Sequence, residues 1–351
     1  MRRQRFFIRN LGAGIYLENF LIAAIASVLV VRLFLKATGY PQIGGAGLHI
    51  AHVLFGGFFM LISIIVLLSF LSKSSAGLAA IVGGIGFGLF VDEIGKFVTS
   101  DTNYFFTPAA ALIYVTFILI FLAIRTIQAG NDYTGQEYLM NALQEMREAV
   151  LQDSLDEEQR HRLLSYLEKC KPDTPLVSAL IYSVSKAALT PARRPWVISR
   201  IRSSMRNLYQ DITRMKMFRY ALVTFFAVDT LAKITYVFVL LFFVGLGWEQ
   251  ILDSRIVGHF AERVQNLSFL GWAQLCSSLL AGIFTFLGLT RIRRSRLLAF
   301  KMFERSILVS IFITQVFVFY REQFSALLGL FFNILVLIAL RFMIEEERSR
   351  T

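Results

Sequence analysis

Residues 49–71 read HIAHVLFGGFFMLISIIVLLSFL and contain no Asp, Glu, Lys or Arg. A helix of roughly 20 apolar residues crosses a hydrocarbon core about 30 Å thick, so this stretch is long enough to span a membrane. A second such stretch, GLAAIVGGIGFGLFVDEIGKFV at 77–98, follows after a short polar turn. The two predict an antiparallel pair of membrane helices.

The composition of the whole chain agrees with this prediction. Of 351 residues, 56% are hydrophobic and 17% are charged, with a mean hydropathy of +0.60. Soluble domains average roughly 45–50% apolar and about 25% charged residues. Two cysteines exclude a disulfide scaffold, and a net charge of +12 is typical of membrane proteins with many cytoplasmic arginines.

Eight apolar stretches are long enough to cross a membrane, which predicts an all-α, polytopic transmembrane bundle. The sequence divides into a first transmembrane half at 1–128, a helical cytoplasmic insert at 129–219 and a second half at 220–351. The eight predicted spans are 17–36, 49–71, 77–98, 108–128, 220–246, 267–289, 297–320 and 324–342.

The two halves resemble each other in part. Residues 111–125 (ALIYVTFILIFLAIR) align without gaps on residues 327–341 (LLGLFFNILVLIALR). Each half contains four predicted spans and starts on the same side, which predicts two parallel repeats, an arrangement that occurs in transporters.

The distribution of arginine and lysine predicts the orientation. Four arginines precede the first span, and RIRRSR occupies 291–296 between the sixth and seventh spans. Cytoplasmic loops carry such an excess, so both termini and the insert are expected in the cytoplasm. A basic amphipathic segment at 193–216 is expected to contact anionic lipid. No nucleic-acid partner is expected, and a homo-oligomer is compatible with the sequence.

Histidines and carboxylates meet at one end of the predicted hairpin. His49 and His52 begin the second span on one helix face, while Asp92 and Glu93 end the third. Gly84, Gly88 and Asp92 are spaced by four, and small residues let membrane helices approach closely. We expect Gly56, Gly84 and Gly88 to bring the second and third spans together.

Three interpretations of this group stay open. His49, His52, Asp92 and Glu93 could hold a divalent metal such as Zn²⁺, or iron or manganese. They could instead form a proton or ion pathway. The third interpretation is purely structural: Asp92 and Lys96 are four residues apart on one helix (i, i+4), and their opposite charges would neutralise each other. Asp229 and Lys233 in the fifth span form a second such pair.

The combination of HIAHVLFGG with GGIGFGLFVDEIGKFVTSDTNYFF resembles uncharacterised polytopic membrane proteins of bacteria. The resemblance covers the second to fourth spans and carries over no activity. It implies a bacterial plasma membrane.

A transporter or channel for a small ion or solute agrees best with eight spans and a charged site inside the bundle. One alternative is a metal-dependent membrane hydrolase that acts on a lipid or envelope substrate. Another is a sensor or scaffold that signals through the insert. Enzymatic activity is therefore left open.

The predicted orientation can be tested by cysteine labelling from outside intact cells. Labelling should fail at Ser154→Cys in the insert and succeed at Gln42→Cys between the first two spans, because the positive-inside bias places them on opposite sides. The reverse pattern would overturn the orientation.

Overall fold

A computed structural model describes residues 8–39, 51–99, 106, 108–128, 133–152, 155–170, 174–189, 216–245 and 268–350. Every regular element in these ranges is helical, with no β-strand, so the predicted all-α fold is confirmed. The chain divides into two compact units, one formed by 1–106 with 115–194 and the other by 107–114 with 195–351. The division into two halves and an insert stays a prediction.

The first unit combines long apolar helices with shorter polar ones. Its helices are α1 (Ala13–Thr38), α2 (His52–Ser69), α3 (Lys73–Asp92), α4 (Ile94–Val98), α5 (Ala109–Gln128), α6 (Gly135–Gln152), α7 (Glu157–Lys169) and α8 (Pro175–Lys186). The first residues of α5, up to Tyr114, belong to the second unit.

Local signals set the ends of the apolar helices. Gly39 ends α1 in the left-handed conformation, with φ of 73°, and its N–H donates to the carbonyl oxygen of Leu35. Ser72 precedes α3, and its side chain accepts a hydrogen bond from the backbone N–H of Ser75. Only two residues, Phe70 and Leu71, separate α2 from this cap, so α2 and α3 form a tight antiparallel hairpin.

Glycines on two different faces of α3 let two helices approach it. On one face, Gly86 lies against Gly56 of α2, and a Cβ on either residue would come within 2.7 Å of the other's carbonyl oxygen. On another face, a Cβ on Gly84 or Gly88 would overlap backbone atoms of α1. A polar side chain takes part in the contact between α1 and α3: the hydroxyl group of Ser27 in α1 donates to the Ile85 carbonyl oxygen at 3.1 Å.

The expectation that Gly84 and Gly88 face the second span is therefore wrong. These two glycines pack against α1, and Gly86 is the residue of α3 that faces Gly56. A helix of 3.6 residues per turn places Gly84 and Gly86 about 200° apart, so α3 has a glycine face for each neighbour.

The polar helices α6, α7 and α8 form a small core of their own. The side chains at its centre are Ala142, Leu155, Leu163, Leu167, Cys170, Val177 and Val184. Thr134 and Glu137 form a capping box at the start of α6, because Thr134 N–H donates to Glu137 Oε2 at 2.8 Å and Glu137 N–H donates to Thr134 Oγ1 at 3.3 Å. Asp156 and Gln159 form a second capping box at the start of α7.

Buried carboxylates attach this helical insert to one end of the apolar helices. Arg9 Nε, just before α1, donates to Glu137 Oε1 at 2.8 Å. At the start of α3, the N–H of Lys73 donates to Glu148 at 2.6 Å, and its ammonium group contacts Glu145. The insert thus lies beside the beginning of α1 and the turn between α2 and α3.

The contact with Arg9 lowers the pKa of Glu137 from an ordinary value of 4.5 to about 2. A carboxylate whose pKa is lower in the folded protein stabilises the fold above its unfolded-state pKa. This contribution is complete above about pH 4.5 and is lost as the pH falls towards 2.

The second unit contains α9 (Lys216–Gly245), α10 (Phe269–Arg291), α11 (Arg296–Val309), α12 (Gln315–Glu322) and α13 (Leu327–Arg350). A π-helical turn at Ser310–Thr314 joins α11 to α12, and a 3₁₀ turn at Gln323–Ala326 joins α12 to α13. Gln323 has a φ of 51°, and the chain reverses there. Glu304 Oε1 meets Arg341 Nε at 3.0 Å across the resulting antiparallel hairpin.

Six helices in the described ranges are long and apolar enough to cross a membrane. The sixth is the run Arg296–Arg348, which includes the reversal at Gln323 and thus covers the two last predicted spans. The helix α9 covers the fifth predicted span, with the short apolar segment Tyr220–Asp229. A count of eight spans and the parallel repeat stay predictions.

The contact between Gly56 and Gly86 predicts that an alanine substitution destabilises the protein at Gly56 and not at the adjacent Gly57. Gly56→Ala should lower the free energy of unfolding by about 1–3 kcal/mol, because its Cβ meets backbone atoms at 2.7 and 2.8 Å that cannot rotate away. Gly57→Ala is the matched control, since a Cβ there meets nothing within 4 Å. Thermal unfolding in detergent measures both, and equal midpoints would contradict this packing.

Candidate functional site

Five charged or titratable side chains meet at the end of the first unit that lies away from the insert. We call Arg32, His52, Asp92, Glu93 and Lys96 the charged cluster. They lie near the end of α1, at the first residue of α2, at the end of α3, in the following turn and in α4. The antiparallel order of the three apolar helices is what brings these five positions to one level.

Asp92 is the centre of the charged cluster and has no exposed surface. Arg32 Nε donates to Asp92 Oδ1 at 2.5 Å, and Arg32 Nη2 donates to the backbone carbonyl oxygen of Asp92 at 3.0 Å. The second contact satisfies a carbonyl group at the end of α3, where the helix leaves such groups without an internal partner. It also places a cation at the negative end of the helix dipole.

His52 lies between the two carboxylates. Its Nε2 atom is 3.0 Å from Asp92 Oδ2, and its Nδ1 atom is 3.0 Å from Glu93 Oε1. Which ring nitrogen donates depends on the tautomer of the imidazole. His52 thus connects the two carboxylates through its two ring nitrogens.

Glu93 is 1% exposed, and only one of its two carboxylate oxygens has a hydrogen-bond partner among the residues that the structure describes. Lys96 Nζ donates to Glu93 Oε1 at 3.0 Å, the same oxygen that faces His52. The other oxygen, Oε2, is buried and meets no hydrogen-bond donor among the residues that the structure describes. A buried carboxylate oxygen without a donor is costly, so this atom is a place where an ion or a donor would bind favourably.

The structure places three of the four predicted metal ligands together, namely His52, Asp92 and Glu93. His49 lies outside the described residues. Within the described ranges, no group of three or more His, Cys, Asp or Glu side chains could hold a metal ion. The metal site, whether for Zn²⁺, iron or manganese, stays a prediction.

Lys96 Nζ contacts Glu93 Oε1, and Asp92 contacts Arg32 and His52. The helix α3 ends at Asp92, Glu93 forms a turn, and α4 starts at Ile94, so Asp92 and Lys96 do not lie on one continuous helix. The i, i+4 pairing of Asp92 with Lys96 stays a prediction.

The remaining predicted residues are only partly described. Asp229 is half-buried in α9, and the side chain of Lys233 lies outside the described residues, so their pairing stays a prediction. The basic segment at 193–216, expected on anionic lipid, lies outside them up to residue 215.

Arg32 is the member of the charged cluster that the sequence analysis missed. It lies inside the first predicted span, and an ionisable residue in a span is a functional candidate by default. That rule could have identified Arg32. Its pairing with Asp92 could not be read from spacing, because it depends on the contact between α1 and α3.

The charged cluster combines two fixed cations, two carboxylates and a histidine that touches both carboxylates. With a neutral imidazole, the formal charges of this group sum to zero. Histidine and carboxylate side chains grouped inside a membrane bundle commonly form proton relays. No family model matches the chain, and neither any curated protein nor any solved structure does.

The contacts of Asp92 predict which second substitution compensates its loss. Asp92→Asn should destabilise the protein by about 3 kcal/mol, because it removes the charge that Arg32 faces in a buried site. Adding Arg32→Met should recover a large part of this loss, since replacing both partners of a buried pair costs little. Unfolding in detergent of the single and double variants provides the measurement.

Lys96→Met is the matched control for Arg32→Met, because it also removes one cation of the charged cluster. In the Asp92→Asn background it should give less recovery than Arg32→Met, since Lys96 Nζ contacts Glu93 Oε1. Larger recovery with Lys96→Met than with Arg32→Met would favour the i, i+4 pairing of Asp92 with Lys96.

Proposed function

We propose that the protein is a membrane transporter or channel for a small ion or solute, and that the charged cluster is its ion-binding element. The observation that carries the proposal is the environment of Glu93. Its carboxylate is 1% exposed, it contacts His52 and Lys96 through Oε1, and Oε2 meets no donor within the described ranges.

The cost of burying these groups supports a functional role. Charged side chains among membrane helices are expensive, and those that persist commonly mark ion pathways and proton relays. Arg32 with Asp92 alone would tie α1 to α3. His52 extends this contact to α2, but the buried Glu93, with one oxygen that meets no donor within the described ranges, adds a charge that such a structural contact does not require.

Ion binding at Glu93 would act on its neighbours. A cation, the proton included, that binds at Oε2 lowers the negative charge that attracts His52 and Lys96. The imidazole is then held more strongly by Asp92 than by Glu93, so the contact between the start of α2 and the turn after α3 loosens. Ion binding and helix contact are thereby coupled, as alternating access requires.

The positive-inside bias supports a position of the charged cluster at the outer face of the membrane. The insert is attached at the start of α1, and Arg32 lies about 28 Å further along that helix at 1.5 Å per residue. If the arginine-rich segments and both termini lie in the cytoplasm of a bacterium, the charged cluster lies at the outer face of the plasma membrane.

One observation favours a membrane sensor as a second candidate. The insert is fixed to the apolar helices by Glu137, Glu145 and Glu148, so a change at one end of α1 or α3 has a physical route to the insert. The metal-dependent hydrolase acting on a lipid or envelope substrate stays a prediction.

Proton flux into sealed proteoliposomes tests the transport function. The full chain is reconstituted with a trapped pH-sensitive dye, and a K⁺ gradient with valinomycin provides the driving voltage. We expect dye acidification faster than in empty vesicles, and we expect Glu93→Gln to reduce it at least tenfold, because the amide oxygen cannot take up the ion as a carboxylate does.

The matched control is Glu168→Gln, which makes the same change at an exposed position of α7 in the insert. It should leave the flux unchanged. Wild-type flux equal to that of empty vesicles, or equal flux in the Glu93→Gln and Glu168→Gln proteins, would contradict an ion pathway through Glu93.

A further inference from the structure

A cavity of about 480 Å³ lies where the apolar helices of the first unit meet the insert. Its apolar wall is formed by side chains of α1 and of the end of α2, among them Leu17, Phe20 and Leu67. Its polar wall includes Gln144 and Arg147 of α6. The cavity therefore has an apolar side and a polar side, at the end of the apolar helices that carries the insert.

Arg147 forms the charged part of the polar wall. Its Nε atom is buried and has no hydrogen-bond partner anywhere in the described part of the chain. The same residue lines a second cavity of about 510 Å³ on the other side, beside Arg9 and Asn141. An arginine N–H group that is shielded from water and unpaired is stabilised by an anion, and guanidinium forms charge-assisted hydrogen bonds with phosphate as well as with carboxylate.

The other charged groups around the cavity already have partners. The ammonium group of Lys73 contacts Glu145, and the backbone N–H of Lys73 donates to Glu148 at 2.6 Å. On the far side of α6, Arg9 is paired with Glu137. Arg147 is thus the cation of this region that a ligand would meet.

We propose that this cavity binds one phospholipid, with its phosphate at Arg147 and an acyl chain along Leu17, Phe20 and Leu67. The site differs from the basic segment at 193–216, for which the sequence predicts contact with lipid. Basic pockets at the cytoplasmic ends of membrane helices bind anionic head groups in this way.

The apolar wall distinguishes a lipid from a free phosphate or a soluble phosphate ester. Leu67, Phe70 and Leu71 line the cavity and are all more than half exposed, so it opens sideways along α2. A soluble anion would leave this surface uncovered. An acyl chain covers it.

Native mass spectrometry of the full chain in detergent, titrated with phosphatidylglycerol, tests the site. The wild-type protein should retain one lipid molecule, and Arg147→Gln should weaken its retention about tenfold, as expected for the loss of a charge-assisted hydrogen bond. Arg147→Lys, which keeps the charge, should lie between the two. The matched control is Arg160→Gln, an arginine of the insert that pairs with Glu157 and lines none of these cavities, and it should bind as the wild type does.

A competition experiment on the same protein identifies the class of ligand. Glycerophosphoglycerol, the same head group without acyl chains, should not displace the lipid when present at equal concentration. Displacement would reduce the site to one for soluble phosphate esters and overturn the proposal. Equal lipid retention by Arg147→Gln and Arg160→Gln would overturn it as well.

Discussion

The contact of the Asp92 carboxylate with Arg32 and His52 holds three helices together at one end of the first unit. Each carboxylate oxygen faces a cation or a ring nitrogen from a different helix, at 2.5 Å for Arg32 and 3.0 Å for His52. Removing one partner of such a buried group leaves the other uncompensated, at a cost of several kcal/mol. The positions of α1 and α2 relative to α3 are therefore fixed by the charge on Asp92.

Close helix packing makes this contact geometrically possible. Arginine and histidine reach the same carboxylate only because Gly84 and Gly88 admit α1 while Gly86 admits α2. Larger residues at these positions would separate the backbones and move both side chains away from Asp92. The glycines and the charged cluster thus depend on each other. Close helix packing brings the charged side chains together, and the contacts between these side chains stabilise that packing.

The sequence predicts the helices well and their contacts less well. Long apolar runs identify the apolar helices because hydrocarbon permits so few alternatives to a helix. The spacing of Gly84 and Gly88 shows that a close contact exists, yet it does not say which neighbour makes it. Arg32 was missed for the same reason, since α1 and α3 are brought together by packing between segments 60 residues apart in sequence. The pairing of Lys96 with Glu93 follows from the break after α3, which an i, i+4 rule does not include.

The two ends of the first unit carry different chemistry and are joined by the same helices. At one end, carboxylates of the insert bind the start of α1 and the start of α3; at the other, the charged cluster binds α1, α2 and α3. A helix is stiff over its length, so a shift of α3 at Asp92 is transmitted to Lys73. This connection would relate the ion binding proposed at Glu93 to the position of the insert and to the cavity beside it.

Solid-state NMR of the reconstituted protein measures the central contact directly. With ¹⁵N-labelled arginine, histidine and lysine and ¹³C-labelled aspartate, the account predicts dipolar couplings from the side-chain carboxyl carbon of Asp92 to Arg32 Nε and to His52 Nε2. Each of these couplings should vanish in Asp92→Asn protein made without labelled asparagine. Coupling of that carbon to Lys96 Nζ in the absence of any coupling to Arg32 would contradict the account.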